Sequence, residues 1–338
     1  MQEELLRLTD AGLYCEAGDF YIDPWQPVDR AVVTHAHADH FSPGSRAYLV
    51  SENSLSLFRS RLGSEAHIDS VGFGVPVSMN GVRLSFHPAG HILGSAQVRV
   101  ELGGQIWVVS GDYKIASDPT CTPFSLVPCH TFVTEATFGL PIFRWPDQNR
   151  VFDRINDWWR ANQQTGRASL LFAYALGKAQ RVMAGVDPAI GPVFTHGAVE
   201  RVNQIYRSVG VRLPSSRRAT QASREELSGA LIIAPPSAKG TRWLRRFGSP
   251  STAFTSGWMR VRGMRRRRAV DRGFVLSDHA DWPALLETIL ATGAEHVWVT
   301  HGYVPVVVRW LREQGLDARG LPMRYPSDGG KGEEEGTE

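Results

Sequence analysis

The sequence predicts an α/β fold, and three observations carry that expectation. Through residues 13–140 short apolar runs ("FYI", "AVVTH", "AYLVS", "AQVRVEL", "QIWVVSGD", "TFVTEA") alternate with Gly, Pro, Asn and Asp turns, the spacing of a sheet-rich region. From residue 148 the texture changes. "QNRVFDRINDWWRANQ" (148–163) places apolar residues at helical intervals, "ASLLFAYALGKAQRVMAGV" reads as a buried strand, a glycine turn and a helix, and "PVFTHGAVERVNQIYRSVG" repeats the order before a further strand in "GALIIAPP". After residue 270, "GFVLSDHADWPALLETILATGAEHVWVTHGY" runs strand, loop, helix, strand, with a histidine after each strand.

Composition limits the function classes. The chain has 338 residues, 42% hydrophobic and 21% charged, enough for one elaborated domain or two ordinary ones. It has no apolar run near the length of a membrane span. The start "MQEELLRLTD" lacks a signal-peptide pattern, and Cys15, Cys121 and Cys129 are odd in number without a CxxC pair. A reducing, cytoplasmic setting is therefore expected. Net charge is only +3, yet four of the 37 basic residues are lysine and the rest arginine. "RWLRRF" (242–247) and "RVRGMRRRR" (260–268) concentrate that charge and suit phosphate binding. Trp243, Phe254 and Trp258 interleave with these arginines, either stacking bases or lying in the core. Lys178 and Arg181 sit at a helix start suited to phosphate. The end "SDGGKGEEEGTE" is expected to be a disordered acidic tail, residues 326–338.

The chemistry concentrates in "VVTHAHADHF" (32–41). Alternate side chains of an extended segment point the same way, so His35 and His37 can reach one metal while Asp39 and His40 turn toward another. Imidazole and carboxylate at this density point to a metal. Other strand ends supply further ligand types: His91 in "PAGHILGSA", Asp112 in "VVSGDYK", His279 in "VLSDHAD" and His301 in "VTHGY".

These residues resemble the metallo-β-lactamase superfamily, specifically its nucleic-acid-processing β-CASP branch, over nearly the whole chain. Asp23 in "YIDP" matches the family's first-motif aspartate, "HAHADH" the second motif, His91 the third and Asp112 the fourth. Glu135 in "TEATFG" matches the branch's acidic motif, and His279 and His301 its late histidine motifs. "EATFGLPIFRWP", "TSGWM", "FVLSDHADW" and the short length are most similar to the bacterial ligase-associated DNA exonucleases. The resemblance implies an αββα sandwich (1–146 and 266–325) with an inserted α/β β-CASP cap domain (147–265). It implies that His35, His37, His91 and Asp112 hold one metal ion, and Asp39, His40, Asp112 and His301 the other, with Asp112 bridging. Mixed imidazole and carboxylate donors suit zinc, and manganese fits as well. Asp23 is expected to orient a histidine by accepting its second N–H.

The expected activity is metal-dependent phosphodiester hydrolysis, most like that of a DNA exonuclease in DNA repair. A metal-bridging hydroxide would attack, and His279, held by Glu135, would protonate the leaving group. The alternative for His279 is a further metal ligand or a residue that supports one. The expected partners are nucleic acid, DNA favoured over RNA, with an ATP-dependent DNA ligase and a helicase as functional partners; no membrane is expected. Three alternatives stay in view: a β-CASP RNase, favoured by His301 because a final-motif histidine is commonest in RNA-acting members; a small-molecule metallohydrolase, which has no use for Glu135, His279 and a cap; and a non-catalytic binding subunit, against which the filled ligand positions argue.

Overall fold

A computed structural model describes residues 4–322 of the chain; the expected acidic tail at 326–338 lies outside the described residues. The fold is mixed α/β and divides into two units, the first running to Ile142 and resuming at His279, the second spanning Phe143–Asp278.

In the first unit a six-stranded sheet takes its strands in chain order: Arg7–Thr9, Gly12–Cys15, Phe20–Ile22, Arg30–Val32, Ala47–Ser51 and Ile68–Val71. A seven-stranded sheet runs in the order Asp317–Gly320, His296–Gly302, Thr131–Ala136, Gln105–Val109, Ala96–Leu102, Val82–Pro88, Val77–Met79. The inward residues of both sheets share one core: Leu13, Ile22 and Val32 from the first pack with Leu84, Val98, Val109 and Val133 from the second. The period-2 alternation legible in "VRLSFHP" and "AQVRVEL" is what lets one face bury this way.

Helices cover the other face of the seven-stranded sheet. Trp282–Ala291 begins where Asp281 accepts from the amide of Ala284, with a proline in its first turn, and buries Leu285, Leu286 and Ile289. Val304–Glu313 buries Val307, Val308 and Leu311, a stripe at helical spacing. Both stripes join Phe132, Val297 and Val299 in a second core.

The register decides where the chemistry gathers. Gln105–Val109, Thr131–Ala136 and His296–Gly302 are mutually parallel, with Val109 level with Val133 and Val133 with Trp298. Their carboxyl ends therefore open on the same edge, carrying Asp112, Glu135 and His301. That edge is where parallel sheets place their sites.

The second unit is built on a six-stranded parallel sheet ordered Arg217–Arg218, Val193–Thr195, Leu231–Ala234, Ser169–Phe172, Ser251–Thr255, Arg272–Phe274. Its central strands are buried throughout, as all-parallel strands covered on both faces must be. Helix Gln148–Gln164 is capped by Asp147, which accepts from the Arg150 amide, and buries Val151, Ile155, Trp158 and Trp159. Each such side chain contributes roughly 1.5–3 kcal/mol by leaving water. The sequence reading ended the inserted segment at residue 265. Arg272–Phe274 instead pairs with Ser251–Thr255, so this sheet extends past that boundary; the short run "RGF" finds its partners only in three dimensions. No helix among the described residues is long and apolar enough to cross a membrane.

Candidate metal centre

Four side chains of the first unit converge. His35, His37, His91 and Asp112 each direct one ligand-type atom into a space where all four atoms lie within 4.8 Å of one another. His37 Nδ1 is 3.2 Å from His35 Nε2 and 3.1 Å from His91 Nε2. Asp112 Oδ2 is 3.7 Å from the first of those Nε2 atoms and 3.9 Å from the second. Donors about 2.0–2.1 Å from a tetrahedral zinc ion are separated from each other by about 3.3 Å. The imidazole spacing matches that figure, so the residues present fit a metal ion.

A second set gathers around His40. Its Nδ1 donates to Asp23 Oδ2 at 2.7 Å, while its Nε2 is buried with no hydrogen-bond partner among the described residues. A buried imidazole nitrogen without a partner is costly unless something else occupies its lone pair. Asp112 Oδ2 lies 3.5 Å from this nitrogen and Asp39 Oδ2 3.9 Å. The His301 ring stacks on that of His40 with centroids 5.4 Å apart. His301 itself adopts a left-handed backbone with φ of 53°, a strained conformation for a non-glycine residue and one that functional sites tend to hold. Gly302 follows, also at positive φ, and any side chain there would collide with the carbonyl of Ala136.

Charge follows burial and neighbours. Burial, then the neighbouring His40, holds His35 well below the ordinary imidazole range, which keeps it in the neutral, ligating form. Burial and His40 likewise lower His301. His40 behaves oppositely: burial would lower it, but Asp112, Asp39 and Asp23 together hold it well above the usual value. Burial would raise Asp112, yet His40, His279 and His35 keep its carboxyl well below the ordinary carboxylate range. The carboxylates around His40 thus create a demand for positive charge there.

Glu135 and His279 form the third part of the site. His279 Nδ1 lies 3.0 and 3.1 Å from the two Glu135 carboxylate oxygens, and Glu135 Oε1 also accepts from the Tyr113 amide at 2.9 Å. Both side chains are buried. His279 Nδ1 is 3.9 Å from Asp112 Oδ2, and Asp112, Glu135 and His279 make a second group with ligand spacing. Both roles expected for His279, proton donor and ligand, are compatible with this position.

All ten residues named from the sequence thus belong to the first unit: Asp23, His35, His37, Asp39, His40, His91, Asp112, Glu135, His279 and His301. Sequence reasoning missed three neighbours. Thr34 and Thr300 each place a hydroxyl beside Nδ1 of the histidine that follows, at 3.0 and 3.1 Å; the repeated "VTH" was the available signal. Lys114, two residues past Asp112, is buried in an ion pair with Asp118, and its position in a loop hid that burial.

The phosphate role expected of Lys178 and Arg181 is corrected, whereas the core reading of Phe254, Trp243 and Trp258 holds. Lys178 and Arg181 are not available to phosphate: both are buried and bind Asp278, at 2.8 and 3.1 Å. Phe254 belongs to the core of the second unit, 2% exposed, with the Arg268 guanidinium over its ring. Trp243 and Trp258 are partly buried against that core, Trp258 edge-on to Phe143.

No family model matches the chain. Over 310 residues, 91% of its length, it is 30% identical to a chain named "Probable DNA ligase" from Opitutus terrae, of which the match covers 30%. It is similar to endoribonuclease YSH1 of Saccharomyces cerevisiae, 29% identical over 122 residues, 36% of this chain and 15% of the relative. It is also similar to an RNase J-like protein of Methanocaldococcus jannaschii, 21% identical over 231 residues, 60% of this chain and 55% of that one. The chain therefore spans from about a seventh to about half of these relatives' lengths. A crystal structure of a protein of unknown function from Enterococcus faecalis V583 shares the fold, with a TM-score of 0.60 at 11% identity, over 87% of this chain and 79% of that one.

Proposed function

We propose that this chain is a metal-dependent nuclease of the β-CASP branch of the metallo-β-lactamase superfamily, a reading supported by its similarity to an endoribonuclease and to an RNase J-like protein. The observation that carries the reading is the convergence of His35, His37, His91 and Asp112 beside a His40 Nε2 that is buried and unsatisfied. His35, His37, His91 and Asp112 would hold one divalent ion, and Asp39, His40, Asp112 and His301 the other. Zinc suits these donors best and manganese is the alternative. Two such ions supply an activated water and neutralise charge that develops on the phosphoryl group. Asp23 orients His40 through its Nδ1–H, leaving Nε2 for the ion. Glu135 accepts from His279 Nδ1, which leaves Nε2 of that ring to protonate the departing alkoxide.

The finer reading is a cytoplasmic DNA exonuclease of DNA repair, with an ATP-dependent DNA ligase and a helicase as functional partners. It is supported by the similarity of nearly the whole chain to part of a protein named as a DNA ligase. The unit from Phe143 to Asp278 is then the branch's cap, and the arginines within 242–268 its substrate-binding region. A second reading, an RNase, is favoured by His301 and by the names of the other two relatives. The protein, supplied with Zn²⁺ or Mn²⁺, should be tested on end-labelled DNA and RNA of matched sequence and on closed circular single strands. Early release of mononucleotides from DNA, with circles intact, supports the exonuclease. Preferential cutting of RNA moves the chain to the second reading, rapid cutting of circles makes it an endonuclease, and no cleavage of any substrate with either metal refutes the nuclease reading.

A further inference from the structure

Thr34 stands between a carboxylate and a histidine of the candidate metal centre, and its hydroxyl has a single proton. That proton goes to Asp23 Oδ2 at 2.6 Å, while the Thr34 amide donates to Asp23 Oδ1 at 2.8 Å. The same hydroxyl oxygen lies 3.0 Å from His35 Nδ1. An ionised carboxylate only accepts, so the hydroxyl has no proton left for His35 and faces it as an acceptor. The proton between the two must then sit on His35 Nδ1. His35 Nε2 is left with a lone pair, and it is this atom that points to His37 Nδ1 and Asp112 Oδ2.

His40 is set by the same carboxylate directly, its Nδ1 donating to Asp23 Oδ2. We propose that Thr34 is a positioning residue that fixes the tautomer of His35, so that Asp23, directly at His40 and through Thr34 at His35, commits one imidazole of each ligand set to present Nε2. The surroundings hold Thr34 in place. It is 1% exposed, and its carbonyl accepts from the Ala96 amide at 2.8 Å, which ties the loop to the seven-stranded sheet. Gly111, at φ of 55°, leaves the space the threonine fills, since a Cβ there would lie 2.7 Å from Thr34 Cβ and Oγ1.

The inference rests on reading these imidazoles as metal ligands, and its test separates the two. Thr34→Val keeps the side chain's shape and removes the hydroxyl; Thr34→Ser keeps the hydroxyl. Long-range ¹H–¹⁵N correlation spectra of the metal-free protein report each histidine's tautomer, and competition with a chromophoric chelator reports zinc affinity. Wild type and Thr34→Ser should show His35 protonated on Nδ1. Thr34→Val should lose that preference and bind zinc about 10–100-fold more weakly, the usual effect of removing a group that orients a ligand, with Thr34→Ser near the wild-type value. A wild-type His35 protonated on Nε2 overturns the proposal whether or not Thr34→Val folds. So does a Thr34→Val protein with an unchanged His35 tautomer, even where its zinc affinity falls. Failure of the wild type to bind zinc would count against the metal reading alone, because the spectra still decide the role of Thr34.

Discussion

Replacing Asp112 by Ala should release metal from both ligand sets. Asp112 Oδ2 lies 3.5 Å from His40 Nε2, 3.7 Å from His35 Nε2 and 3.9 Å from both His91 Nε2 and His279 Nδ1. One carboxylate thus serves every histidine cluster of the site. At an effective dielectric of about 20, a carboxylate and a dication at the ligand distance of about 2.1 Å interact by about 16 kcal/mol. If the water that replaces the carboxylate recovers about three quarters, the net loss is about 4 kcal/mol, or about three decades of affinity. Because the oxygen faces both sets, both ions should be weakened. Metal analysis after desalting should fall from near two ions per chain to below one, and chelator competition should show affinity lower by about 10³-fold. Far-ultraviolet circular dichroism checks that the variant is folded. Two ions retained with affinity within tenfold of wild type would refute the shared-carboxylate reasoning.

Three further predictions follow from the same geometry. His279→Ala should keep both metals and lose roughly 10²–10⁴-fold in cleavage rate if the residue donates a proton; loss of an ion measured by metal analysis would make it a ligand instead. Gly111→Ala puts a Cβ 2.7 Å from Thr34 at a positive φ, so urea unfolding should show destabilisation of about 1–3 kcal/mol, and an unchanged midpoint would contradict the packing. Burial pushes the Cys129 thiol up to about 12 and raises that of Cys15, whereas Cys121 is only partly buried. Alkylation of the native protein at pH 8, read by mass spectrometry, should modify Cys121 first and leave Cys129 unreacted.

Local sequence was enough for the elements whose signal is short-ranged. The apolar spacing of 148–163 became helix Gln148–Gln164, and "ASLLFAYALGKAQRVMAG" became strand Ser169–Phe172 and helix Lys178–Gly185. Each of these buries a stripe set by its own period, so distant partners were not needed to see it. The strand at Arg272–Phe274 is the contrary case: its allegiance is set by pairing with Ser251–Thr255, a contact that no local period encodes.

The site divides the same way. The density of "HAHADH" and the ligand types at later strand ends named His35, His37, Asp39, His40, His91, Asp112, His279 and His301, because strand periodicity and donor chemistry are properties of a few neighbouring positions, whereas Asp23 and Glu135 entered only through the family resemblance. Which atom each residue presents was decided only by the tertiary structure. His37 turns Nδ1 inward while His35 and His91 turn Nε2, and the orientations of His35 and His40 depend on Asp23 and Thr34, the former held across the loop. The same limit explains Lys178 and Arg181: read alone they are two free cations at a helix start, but Asp278, 97 residues beyond Arg181, buries them in an ion pair. Residue identity and period act within a few positions, whereas the partner that claims a proton or a charge is brought in by long-range packing.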